Sequence, residues 1–72
     1  MEELVIDLFV KTGEEYSLKT IINLFGDVQC FITGNVRLGV ILYSPEEEDN
    51  IRILNLLNIM PGVNKVMEKH YA

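Results

Sequence analysis

The chain reads as an α+β domain, a ferredoxin-like βαββαβ sandwich in which a four-stranded antiparallel sheet of order 4-1-3-2 carries two helices on one face. Three observations predict it. The hydropathy period switches between two and about 3.6 in the order strand, helix, strand, strand, helix, strand. Gly34-Asn35 separates the second and third strands with residue types that tolerate positive φ, as an antiparallel hairpin requires. The third strand, within residues 34–44, is apolar on both sides: Val36, Leu38, Val40 and Leu42 alternate with Arg37, Gly39, Ile41 and Tyr43, so it belongs in the middle of a sheet.

The elements follow in order. In residues 4–11, Leu4, Ile6, Leu8 and Val10 alternate with Val5, Asp7, Phe9 and Lys11, a first strand with its even positions inward. Thr12-Gly13 ends it. From about residue 14, Leu18, Ile21, Ile22 and Phe25 make the apolar stripe of a helix, with Thr12 and Glu15 or else Ser17 as caps and Gly26 as a left-handed stop. Residues 27–33 return to alternation, with Val28, Cys30 and Ile32 against Gln29, Phe31 and Thr33. Ser44-Pro45-Glu46-Glu47 reads as N-cap, first helical position and reciprocal glutamate. The acidic run Glu46, Glu47, Glu48 and Asp49 then suits the positive end of a helix dipole, which explains it without a metal or docking role. That helix runs through Ile51, Ile53, Leu54, Leu56, Leu57 and Met60, with Asn50, Asn55 and Asn58 on its wetter side, until Pro61-Gly62 stops it. Residues 63–71 form a last strand whose lysines suit an edge.

Seventy-two residues allow one domain, residues 1–72, with a thin stability margin. The single cysteine excludes an internal disulfide, which leaves a partner subunit as the available reinforcement. The net charge of −5 argues against a nucleic-acid binder and an anionic membrane surface. The start Met-Glu-Glu is acidic where a secretory signal is basic, and no apolar run approaches the ~20 residues of a span, so the cytoplasm is the expected location.

Helices cover only one face of such a sheet. The other carries Phe9, Phe31, Ile41, Tyr43 and Met67, more apolar surface than a monomer ordinarily shows to water. Burying these five side chains is worth on the order of 10 kcal/mol before association costs. A homodimer or higher oligomer through this face is therefore expected, with Phe9, Phe31, Arg37, Ile41, Tyr43 and Met67 at the interface and an Asp7–Arg37 pair fixing register.

The whole plan, with Thr33-Gly34 before the central strand and Met60-Pro61-Gly62-Val63 before the last one, resembles the ACT and RAM effector-binding domains, the latter found in feast/famine (Lrp/AsnC) regulators and as stand-alone proteins. Val36 and Arg37 stand where RAM domains carry an aromatic and an Asp, and Gly13 is the nearest match to the ligand-holding glycine of ACT domains. The resemblance implies association through sheets and a small-molecule effector, such as an amino acid, at the subunit boundary around Gly13, Thr33, Gly34, Asn35 and Arg37.

Chemistry-bearing residues have plain readings. His70 has no second His or Cys at metal-ligand spacing, and Cys30 falls on the helix-covered face as a small apolar residue. Gly13 and Gly34 lack a following Gly-Lys-Ser/Thr and serve turns. Aromatics on an open sheet suggest an RNA module, yet basic residues are few; an acylphosphatase would need an arginine where Thr12-Gly13-Glu14-Glu15 stands. The reading is a non-enzymatic regulatory or ligand-responsive module with no cofactor or metal and no direct contact with nucleic acid or membrane. The alternative is an adaptor or small chaperone that takes a partner segment on its sheet face or edge.

Overall fold

The computed structural model describes residues 3–70. The elements are β1 (Leu4–Val10), α1 (Glu15–Ile22), β2 (Val28–Gly34), β3 (Arg37–Leu42), α2 (Glu47–Ile59) and β4 (Val63–His70). All neighbouring strands are antiparallel and the order is β2-β3-β1-β4. This is the expected ferredoxin-like arrangement. No helix among the described residues is long and apolar enough to cross a membrane.

Alternation sorts the sheet as the sequence demanded except at Ile32, expected inward with Val28 and Cys30 but exposed near the end of the edge strand. Ile6, Leu8 and Val10 of β1, Val28 and Cys30 of β2, and Leu38, Val40 and Leu42 of β3 are buried, and Leu18, Ile22 and Leu57 close over them from the helices. The helices divide the work: α1 lies chiefly on β2, and α2 on β4.

Several local expectations are corrected. Helix α1 ends at Ile22, and the amides of Leu24 and Phe25 tighten onto the carbonyls of Ile21 and Ile22, so Phe25 packs from a turn while Ile21 is exposed. Positive φ falls on Asp27 (56°), not on Gly26. The β2–β3 hairpin turn is Asn35-Val36, with positive φ on Val36 (53°) instead of Gly34 or Asn35, so Val36 leaves the third strand. Helix α2 begins at Glu47, two residues later than the Ser44 cap implied. Ser44 still organises the entry: its hydroxyl accepts from the Glu46 amide at 3.1 Å, while Asn50, placed by sequence on the wet side, is buried and exchanges two hydrogen bonds with the Ser44 backbone. The buried side-chain amide does what a capping glutamate was expected to do. The side chain of His70 and all of Tyr71 lie outside the described residues.

Candidate functional site

Two regions gather the residues singled out by sequence. One is the end of the sandwich where β1 and β2 finish and β3 and β4 begin. Residues 11–14 form a turn closed by the Glu14 amide donating to the Lys11 carbonyl at 3.1 Å, with Gly13 at φ 87°. Residues 60–63 form a second, closed by the Val63 amide donating to the Met60 carbonyl at 3.1 Å, with Gly62 at φ 94°. Positive φ at the third residue, with Pro61 at the second position of the latter, is the type II pattern, and only glycine holds it cheaply. The Lys11 amide donates to the Gly62 carbonyl at 2.9 Å and joins the two turns; the Val10 amide donates to the Val36 carbonyl at 2.8 Å and adds the hairpin turn. Register slips beside this end in both outer pairs, between Phe9 and Val10 against β4 and between Ile32 and Gly34 against β3.

Glu15, which sequence offered only as half of a capping box, is the link here. Thr12 does not cap, and no side chain caps the first residue of α1. Instead the Glu15 carboxylate accepts from the Val36 amide at 3.3 Å. Its own amide and that of Val36, then those of Gly13 and Glu14, hold its carboxyl below the usual glutamate range. The backbone donors beside Gly13 thus already have an anionic partner from within the chain. Of the proposed ligand set, Gly13, Gly34 at the end of β2 and Asn35 of the hairpin turn lie at this end, whereas Thr33 and Arg37 belong to the sheet face.

That face is the second region. It is laid out in cross-strand rows: Gln29, Ile41, Val5 and Lys69; then Phe31, Gly39, Asp7 and Met67; then Arg37, Phe9 and Lys65. Phe9, Val5 and Ile41 are half-buried, while Phe31, Tyr43 and Met67 are exposed to about two-fifths. Gly39 has a reason to be glycine. A Cβ there would stand 2.7 Å from Cε2 of Phe31 and 3.0 Å from Cγ2 of Thr33, so the Phe31 ring lies across the space a side chain would fill.

Asp7 is buried at the centre of this face. Its Oδ2 takes Arg37 at 3.0 Å, the expected pair, and also Lys69 at 2.9 Å, which the sequence did not reveal. The two cations approach along opposite diagonals from β3 and β4. Lys69 first, then Arg37, outweigh burial and hold the Asp7 carboxyl below its ordinary range. The Arg37 guanidinium also stands 5.1 Å from the centroid of the Phe9 ring, a cation–π distance. The four strands therefore show this face three cations, Arg37, Lys65 and Lys69, against the one carboxylate of Asp7, in a chain whose net charge is −5.

Cys30 is buried under the helices, and burial pushes its thiol up to about 11, so it packs as a neutral apolar group. Among the described residues no group of three or more His, Cys, Asp or Glu is placed to hold a metal. Comparison of the chain with protein-family models, with curated proteins and with solved structures finds no match.

Proposed function

We propose that the chain is a non-catalytic association module, regulatory in the manner of ACT and RAM domains, whose working surface is the open sheet face and whose first partner is a second copy of itself. The observation that supports this is the grouping of Val5, Phe9, Phe31, Ile41 and Met67 in adjacent rows on the face that no helix covers. These apolar side chains flank a central Arg37–Asp7–Lys69 ion cluster, an apolar surface with a few fixed polar groups of the kind that interfaces bury. Ligand response at the Gly13 end requires an anionic effector to displace Glu15, so an amino-acid carboxylate would compete with a carboxylate already seated.

The excess of cations favours a second reading, an adaptor that takes an apolar segment with acidic flanks from another protein. Salt separates the two. Screening strengthens a pairing of two like-charged faces and weakens capture of an acidic segment. The test is sizing of the wild type and of Ile41→Glu at low micromolar concentration: the reading predicts a dimer that the variant loses while staying folded. A wild-type monomer overturns the self-association reading, and a flat thermal-shift panel of amino acids and nucleotides removes the sensing part.

A further inference from the structure

The outer edge of β2 shows a feature that neither face explains. β2 pairs with β3 alone, and residues 28–34, Val-Gln-Cys-Phe-Ile-Thr-Gly, contain no charge and no proline, the two usual defences of an edge strand. The opposite edge, β4, carries Lys65 and Lys69. At the middle of the β2 edge stands Asn23, the residue that follows α1. Its Nδ2 donates to the Cys30 carbonyl at 2.9 Å, and its Oδ1 accepts from the Cys30 amide at 2.8 Å. One side-chain amide thereby reproduces both bonds that a neighbouring strand would make to that residue. Because both Cys30 backbone groups point outward, strand alternation turns the amides of Val28 and Ile32 the same way, while Gln29 and Phe31 bond inward to Ile41 and Gly39.

We propose that Asn23 is an edge plug: it holds the sheet at four strands, and its loss opens β2 to antiparallel pairing with β2 of a second copy. The occupant follows from the strand's chemistry. An uncharged strand rich in β-branched and aromatic residues opposes its own copy with no like charges brought together, whereas the lysines of β4 oppose each other. The inference does not depend on what covers the open face.

The test is sedimentation velocity of the full chain as wild type, Asn23→Ala, and Asn23→Ala with Ile32→Pro, the proline removing an outward amide without touching the β2–β3 ladder. The expected result is at least a twofold rise in mass for Asn23→Ala over wild type at equal concentration, reversed by Ile32→Pro. The readout is a change relative to wild type, so it stands whether the wild type is one subunit or two. A folded Asn23→Ala of wild-type mass overturns the proposal, as does a larger species that the proline leaves intact. If Asn23→Ala does not fold, amide exchange in the wild type decides: the plug makes the Cys30 amide exchange slowly beside a fast Ile32 amide, and equal fast rates overturn it.

Discussion

Replacing Gly39 by alanine adds one methyl group to the centre of the open face, where its Cβ would meet the Phe31 ring at 2.7 and 2.9 Å, well inside a carbon–carbon contact of about 3.5 Å. The β3 backbone is held by ladders on both sides, so the ring moves. Phe31 stands at the rim of the sheet, and its ring tilts outward by the roughly 1 Å that restores contact distance, off its rotamer at a cost of about 0.5–1.5 kcal/mol. Relief of glycine's excess unfolded-state entropy offsets roughly 0.5–1 kcal/mol of that, which leaves the fold within about 1 kcal/mol of wild type. Association responds more strongly. Phe31 is 38% exposed, about 75 Å² of an aromatic side chain, worth about 2 kcal/mol per subunit on burial and ~4 kcal/mol in a symmetric pair. Gly39→Ala is therefore expected to weaken the proposed dimer by up to roughly a thousandfold with little change in melting temperature. Sizing across a dilution series with parallel thermal melts measures both. A variant that melts far below wild type yet keeps its mass refutes the reasoning, since Gly39 would then serve the fold and not the face.

Further outcomes follow from the same geometry. Asp7→Asn removes the negative charge that Arg37 and Lys69 share and leaves them a neutral carbonyl acceptor; because both cations are nearly half exposed and can hydrate, the expected loss at neutral pH is only about 1–2 kcal/mol by urea melts. The folded Asp7 carboxyl sits below its ordinary value of about 3.9, so its stabilisation is full above that pH and is lost as pH falls through the lowered value; Asp7→Asn should flatten this acid limb, and an unchanged limb refutes the assignment. Val36→Gly relieves a β-branched residue at φ 53° and should gain about 1 kcal/mol, raising the melting temperature by roughly 4–8 °C; a fall would mean that the half-buried side chain matters more than its backbone. Leu57, the one fully buried apolar side chain of α2, should cost about 2–5 kcal/mol as alanine, and a loss under about 1 kcal/mol would show that α2 is anchored elsewhere.

What the sequence revealed and what it hid divide along physical lines. Period-two alternation placed Ile6, Leu8, Leu38, Val40 and Leu42 beneath the helices and Phe9, Phe31 and Ile41 opposite them, because a strand's pleat leaves its side chains no third choice. Gly13 and Gly62 were legible as turn residues because the chain needs their positive φ locally. Val36 was not. The hairpin's positive φ went to a residue that local preference disfavours, in a turn whose backbone is held by Val10 and Glu15 from elsewhere in the chain. Asn50 was read as a helix-surface amide and Asn23 was not singled out, since nothing in their spacing announces that one meets Ser44 and the other Cys30. Lys69 was taken as an edge guard, and its reach to Asp7 depends on a register that alternation alone does not fix.

Sedimentation equilibrium of the wild-type chain at low micromolar concentration, at low and at high salt, bears most directly on the open face. The account predicts twice the 8.2 kDa subunit mass, with tighter pairing as salt screens Arg37, Lys65 and Lys69. A stable 8.2 kDa species at both salt levels would contradict it.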